Sequence, residues 1–161
     1  AKGLPGNILS SEAVLTEVLY LLDFSLSAQS AALDFVLTGT VTLVPSSIES
    51  LALAKRLMTK YHDLPMDFAD ATLVTIAHDL GVQDIVTFDE RHFSIYKLRS
   101  KKGFRILLSN KTVNVVGRKE TAFGLGEHNS VSWLDRLLGQ VITGALRVYP
   151  ISYIWLYVTK R

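Results

Sequence analysis

Two acidic residues stand at positions where a carboxylate is costly unless something offsets its charge. Glu17 lies three residues after Val14 and four before Leu21, and on a helix these residues share one apolar face. Asp70 is followed at helical spacing by the apolar residues Leu73, Val74 and Ala77. A carboxylate on such a face must be paired, bind a metal or reach solvent. For Glu17, an edge residue that reaches solvent is as good an interpretation as a functional one.

A third acid, Asp89, directly follows residues 84–88, a short apolar run that fits a strand. In open α/β sheets, ligands bind beyond the carboxyl ends of the strands, so Asp89 would face such a crevice. An ordinary turn aspartate is the alternative. Asp67 stands three residues before Asp70 and suits a helix N-cap, and the alternative role for Asp70 is to reach back to the helix start as in a capping box. Thr87 would either orient substrate or a metal-bound water, or be an ordinary β-branched strand residue.

Taken together, these acids predict several carboxylates that converge at one end of a sheet. Carboxylate oxygens prefer hard divalent cations, so Mg²⁺ or Mn²⁺ is the expected ligand. Such ions commonly serve phosphoryl chemistry, where they activate water and neutralise charge that develops on the phosphate. The pattern of acids therefore favours metal-dependent phosphoryl chemistry.

The elements that must position these acids alternate between helices and short strands. Apolar spacing and capping residues predict four helices, over residues 11–23, 27–38, 46–61 and 67–80, with Gly81 ending the last. Short apolar runs predict three strands, over residues 40–44, 84–88 and 104–108. This alternation predicts an α/β fold with a mostly parallel sheet.

The character of the sequence changes after residue 109. Residues 133–146 fit an amphipathic helix, and residues 151–158 resemble a strand. We therefore predict one domain over residues 1–109 and an extension of unassigned role over residues 110–161. The longest apolar run, residues 148–158, contains a proline and is too short to cross a bilayer, so no membrane association is expected.

The composition is that of an ordinary globular protein, with 48% hydrophobic and 20% charged residues. A net charge of +2 neither requires nor excludes a nucleic-acid partner. The chain has no cysteine, which excludes disulfides and thiolate metal sites and fits a cytoplasmic protein. No basic-then-apolar leader opens the chain, so no signal peptide is expected.

Positive charge is concentrated just before the last predicted strand of the first domain. Five basic residues fall within nine positions: Lys97, Arg99, Lys101, Lys102 and Arg105. One interpretation is a surface that contacts the phosphates of RNA. The alternative, a solvated loop without a ligand, is the commoner role of such charge runs.

Three blocks of sequence surround the acids, and they occur in a recognisable order. Residues 13–22 read AVLTEVLYLL, residues 61–77 read YHDLPMDFADATLVTIA, and residues 85–93 read IVTFDERHF. The first resembles the conserved-glutamate helix of the PIN-domain family. The second resembles the block in which an aspartate–alanine pair opens a helix, and the third the family's strand-then-aspartate block. The likeness is greatest to bacterial PIN proteins of the VapC toxin type.

This resemblance implies a three-layer PIN-like fold and an endoribonuclease that uses Mg²⁺ or Mn²⁺ to cleave RNA. It also implies a cognate antitoxin and, in many relatives, a homodimer. Glu17, Asp70 and Asp89 would hold the metal, with Asp67 as an auxiliary acid. His92 stands where many relatives carry a further aspartate.

PIN domains begin with a strand that ends in an aspartate, but no acid precedes Glu12 in this chain. The resemblance therefore implies that the first acid and its central strand are absent. We predict that the strand-like residues 151–158 fill the vacated position in the sheet. The alternative function is a catalytically impaired PIN remnant that binds an antitoxin or another subunit. A weaker third possibility is an unrelated α/β hydrolase.

Overall fold

The computed structural model describes residues 7–64, 66–87, 89–107 and 157–160. The strands in this part of the chain are β1 (Asn7–Ser10), β2 (Val41–Leu43), β3 (Asp84–Val86), β4 (Arg105–Ile106) and β5 (Tyr157–Lys160). The helices are α1 (Glu12–Leu21), α2 (Leu26–Leu37), α3 (Ile48–Lys60), α4 (Phe68–Leu80) and α5 (Glu90–Phe93). None of these helices is long and apolar enough to cross a membrane.

The strands form one sheet in the order β2-β1-β5-β3-β4. Strand β1 pairs in parallel with β2, and β3 pairs in parallel with β4. Strand β5 lies between these two pairs and runs antiparallel to both of its neighbours. Four strands therefore share one direction and the central strand opposes them, which confirms the predicted α/β fold with a mostly parallel sheet.

The C-terminal strand occupies the interior position that we expected to be vacant. Val158 lies opposite Leu9 of β1 on one side and opposite Ile85 of β3 on the other. The predicted insertion of residues 151–158 into the sheet is thus confirmed for residues 157 and 158, and the strand continues to Lys160. Residues 151–156 and the predicted helix over residues 133–146 lie outside the described part of the chain. The proposed boundary near residue 110 stays a prediction, although β5 joins the extension to the first domain's sheet.

The four long helices and the strands β2, β3 and β4 confirm the sequence prediction to within a few residues. Each long helix begins at a polar cap, which satisfies backbone N–H groups that have no partner within the helix. These caps are the side chains of Ser11, Ser25, Ser47 and Asp67. Helix α4 ends at Gly81, whose φ of 66° is a left-handed conformation that glycine adopts without steric cost.

Two short elements were not predicted. Only two of the four residues in strand β1 are apolar, and helix α5 has a single turn, so neither shows the apolar run or period that predicted the other elements. Both nevertheless lie beside the acids. Strand β1 leads through Ser11 into the helix that carries Glu17, and α5 begins directly after Asp89.

Helix α4 is the central helix of the core, and it is held against the start of α1. Every residue from Ala69 to Ala77 is buried. The Ser11 hydroxyl lies 2.7 Å from the Thr72 hydroxyl in a buried contact, and Thr72 donates its proton to the carbonyl of Ala69 at 2.7 Å. Because a threonine hydroxyl has one proton, Ser11 must be the donor in the contact between them. This chain of bonds fixes the helix of Glu17 relative to the helix of Asp70.

Candidate metal centre

Asp70 lies in the first turn of α4, and its side chain points into the protein rather than back to the helix terminus. It is only 5% exposed. Asp67 caps the helix by accepting a hydrogen bond from the backbone N–H of Asp70 at 2.8 Å, so capping does not use the Asp70 carboxylate. One oxygen of that carboxylate accepts a hydrogen bond from the buried hydroxyl of Tyr96 at 3.2 Å.

Asp89 is fixed by its neighbours at the point where the chain leaves β3 and enters α5. Its backbone N–H donates to the Thr87 hydroxyl at 2.9 Å, and its own Oδ1 caps α5 by accepting from the His92 N–H at 3.0 Å. The second oxygen, Oδ2, lies 2.6 Å from Nδ1 of the His92 ring. Thr87 is therefore a buried support for Asp89 in this structure, and the predicted contact of Thr87 with substrate or water stays a prediction.

His92 and Asp70 are brought together by one aromatic side chain. The rings of His92 and Tyr96 are stacked, with centroids 6.3 Å apart and an interplanar angle of 16°. Since the Tyr96 hydroxyl also contacts Asp70, Tyr96 connects both halves of the cluster. Asp70, Asp89 and His92 each offer one ligand atom, and all three atoms lie within 4.8 Å of one another.

Glu17 and Asp67 surround this cluster without joining its closest set of atoms. Both are partly exposed. Their charges, with that of Asp89, act on Asp70: burial first, and then these neighbouring carboxylates, raise the pKa of Asp70 to about 8. Burial and the charge of Asp67 also raise the pKa of Glu17. Glu17, Asp67, Asp70 and Asp89 thus share one electrostatic environment, and their role as a metal site stays a prediction.

Among the described residues, the cluster has no lysine or arginine partner, and its one basic neighbour is His92 beside Asp89. No lysine or arginine in that part of the chain forms an ion pair with Glu17, Asp67 or Asp70. Crowded carboxylates must then either hold protons or bind a cation. Oxygen donors from two aspartates with a flanking glutamate suit Mg²⁺ or Mn²⁺, so the donor set fits the divalent metal expected here.

The basic residues 97–102 form an exposed turn, but this turn lies toward the other end of α4. The carbonyl of Lys97 accepts a hydrogen bond from Nε2 of His78, in the last turn of that helix. His78 is eight residues beyond Asp70, which is about 12 Å along a helix axis. Lys97, Arg99, Lys101 and Lys102 are all exposed, and their contact with RNA stays a prediction.

Arg105 must be removed from the basic surface that the sequence suggested. Its guanidinium binds both carboxylate oxygens of Asp84, each at 2.5 Å. Asp84 and Arg105 face each other across the parallel strands β3 and β4. The side chain at position 105 therefore joins two strands, and its role is explained by the sheet.

Tyr96 is the residue of this site that the sequence did not reveal. It is fully buried, and contact with Asp70 raises its own pKa further, after burial as the main cause. It acts across 26 positions in sequence, so no local spacing indicates the contact. His92 does carry a local signal, because it lies three residues after Asp89. A prediction of the short helix α5 would have placed these two residues on one helical turn.

A comparison with protein families gives one match: the family model of the PIN domain matches residues 1–98. The match covers more than half of the chain and includes Glu17, Asp67, Asp70, Asp89 and His92. No curated protein matches the chain.

Proposed function

This chain belongs to the PIN-domain family, and from that premise we propose that it is a metal-dependent endoribonuclease of the VapC toxin type. PIN domains are generally nucleases that bind divalent metals, so a nuclease-type function follows from the family alone. The proposal goes further in naming RNA as the substrate and Mg²⁺ or Mn²⁺ as the ion. The observation that carries it is the close approach of Asp70 and Asp89 in a carboxylate cluster that no described lysine or arginine neutralises.

In this proposal, Asp70 and Asp89 hold the ion directly, and Glu17 binds it directly or through water. Asp67 caps α4 and adds negative charge beside Asp70. The bound ion would supply activated water and neutralise the charge that develops on a phosphodiester. Thr87 keeps the backbone of Asp89 in place, and Tyr96 keeps the carboxylate of Asp70 in place.

The proposed substrate is a single strand of RNA that extends from the acids toward the exposed basic turn. Lys97, Arg99, Lys101 and Lys102 would contact phosphates a few nucleotides from the scissile bond. The separation of about 12 Å along α4 corresponds to roughly three or four nucleotides at about 3.4 Å per nucleotide along a strand. These contacts would strengthen binding and make it salt-dependent without selecting sequence.

The experiment is an RNA cleavage assay on the purified protein with Mg²⁺ or Mn²⁺ and with chelator. We expect metal-dependent cleavage that Asp70→Asn and Asp89→Asn each reduce by at least about a hundredfold, as expected when a group that stabilises the transition state is lost. Asp63→Asn is the matched control, since the Asp63 side chain is 87% exposed and pairs with His62. Metal-dependent cleavage that survives both site substitutions would disprove this assignment and favour an unrelated hydrolase site.

A second candidate function is a binding module without catalysis, which binds an antitoxin or another subunit. One surface favours it: large apolar residues are exposed on α1, α2 and the turn between them. They are Tyr20 at 66%, Phe24 at 53%, Leu26 at 81% and Leu37 at 81% exposure. Exposed apolar patches of this kind mark protein–protein contacts. Well-folded protein that binds metal but cleaves no RNA would favour this function, and the same surface would serve a homodimer.

A further inference from the structure

We propose that His92 is a nitrogen ligand of the bound ion and that it makes this site select Mn²⁺ over Mg²⁺. The inference rests on the proposed function, because it assigns a ligand and a metal preference to the same site. Three possible ligand atoms lie within 4.8 Å of one another, and they come from two aspartates and one histidine.

The His92 ring is held in place rather than free to leave the cluster. Its side chain is 22% exposed, and its ring stacks on Tyr96. Its backbone N–H is bound to Oδ1 of Asp89, so the residue is anchored at both its main chain and its ring. A side chain anchored in this way loses little entropy when it binds a ligand.

The spacing of the donor atoms suits an ion between them. Ligands on opposite sides of an ion with bonds of about 2.1 Å lie about 4.2 Å apart, and adjacent ligands about 3 Å apart. Nδ1 of His92 and Oδ2 of Asp89 are 2.6 Å apart, and all three donors lie within 4.8 Å. Movements of a few tenths of an ångström would bring the three groups to one ion.

Without an ion, the Nδ1–H of His92 donates to the Asp89 carboxylate, because an ionised carboxylate can only accept. For Nδ1 to bind an ion, its proton would move to Nε2 of the ring or to solvent, which leaves Nδ1 with a free lone pair. The short contact thus shows that the nitrogen of His92 and an oxygen of Asp89 already face each other. Glu17 and Asp67 add the negative field that attracts a cation to this position.

A nitrogen donor changes which metal binds best. Mg²⁺ is a hard ion that takes oxygen ligands and gives up its water reluctantly, whereas imidazole binds the transition metals well. Mn²⁺ accepts both carboxylate oxygen and imidazole nitrogen. A site with two carboxylates and one imidazole therefore favours Mn²⁺ over Mg²⁺, and an aspartate at position 92 would restore an all-oxygen site.

The test is pulsed electron paramagnetic resonance of the protein loaded with Mn²⁺, which detects a directly bound nitrogen-14 nucleus, together with calorimetric titration of Mn²⁺ and Mg²⁺. We expect a nitrogen coupling in the wild type that disappears in His92→Asp and His92→Gln. We also expect the Mn²⁺-over-Mg²⁺ affinity ratio to fall about tenfold or more in His92→Asp. His62→Asn is the control, because that exposed ring pairs with its neighbours in sequence, Asp63 and the carbonyl of Thr59.

Each outcome separates this inference from the function on which it rests. Mn²⁺ binding without a nitrogen coupling, or a coupling that persists in both His92 variants, would overturn the ligand role while leaving an all-oxygen nuclease site intact. Absence of any divalent-metal binding would overturn the proposed metal-dependent nuclease, and the ligand role with it.

Discussion

The Asp70 side chain combines two features that rarely coexist, which are nearly complete burial and three acidic neighbours. Its pKa of about 8 means that, without metal, the folded protein holds a proton at neutral pH that the unfolded chain releases above pH 4. A cation can displace that proton, because a metal binds the ionised carboxylate. The same residue thus makes the metal-free protein sensitive to pH and prepares the site to bind a cation.

This pKa gives a signed prediction for stability. Because the pKa is raised on folding, the contribution of Asp70 is most favourable at low pH and is lost as pH rises from about 4 to about 8, by at most about 1.4 kcal/mol per pH unit. Asp70→Asn cannot lose a proton, so its metal-free stability should fall less steeply over this range. Urea unfolding of both proteins in chelator at several pH values measures the difference, and parallel curves would contradict the prediction.

Tyr96 supports a prediction about metal affinity. Its hydrogen bond lowers the pKa of Asp70, so Tyr96→Phe should raise that pKa further and weaken metal binding at neutral pH. The variant should lose only about 1 kcal/mol of stability, the usual net value of one hydrogen bond. Tyr61→Phe is the matched control, since its hydroxyl accepts from the Lys97 backbone and does not contact an acid in the described structure. Metal titrations from pH 6 to 9 compare the wild type with Tyr96→Phe. Their metal affinities should differ at neutral pH and converge at high pH, where Asp70 is ionised in both proteins.

Of the site residues, the sequence predicts those that are marked by the pattern of their neighbours along the chain. Asp70 stood out because apolar residues follow it at helical spacing, and Asp89 because a strand ends just before it. Tyr96 carries no such mark, since a tyrosine after a short helix is equally suited to the core. Its function depends on where α4 passes in space, which local spacing does not encode.

At the scale of elements, the helices were predictable because each has its own cap and its own apolar spacing. The pairing of the strands was harder to predict from the sequence. The insertion of the C-terminal strand was predicted only from a family resemblance and an apolar run, and the antiparallel direction of β5 was not predicted. Direction is decided by pairing with β1 and β3, which are distant in sequence from β5. Local propensity does not determine such pairing.

The central position of β5 makes it sensitive to a lost backbone donor. Because β5 is paired on both sides, each of its N–H groups faces a neighbouring strand, and a proline removes one donor from the ladder. We expect Val158→Pro to lower the free energy of unfolding by about 3 kcal/mol or more. Val158→Ala keeps the backbone donor and should cost clearly less. Chemical denaturation measures both, and equal losses would indicate that β5 is not paired within the sheet in solution.

At the scale of the whole molecule, the carboxylate cluster should make stability depend on metal. Mn²⁺ at a hundred times its dissociation constant should stabilise the fold by about 2.7 kcal/mol. For a domain of this size that raises Tm by roughly 5 to 10 °C. Chelator should reverse the shift, and Asp70→Asn should abolish it. Thermal unfolding with and without the ion measures this, and an equal shift in the variant would locate binding elsewhere.

The position of β5 also affects when the sheet can assemble during synthesis of the chain. Its register partners Ile8 and Thr159 are roughly 150 residues apart, so the middle of the sheet can form only after that length of chain has been made. Until then β1 and β3 have no partner between them, and these two strands lead to Glu17 and to Asp89 respectively. The acids are therefore expected to assemble only after synthesis of residue 160.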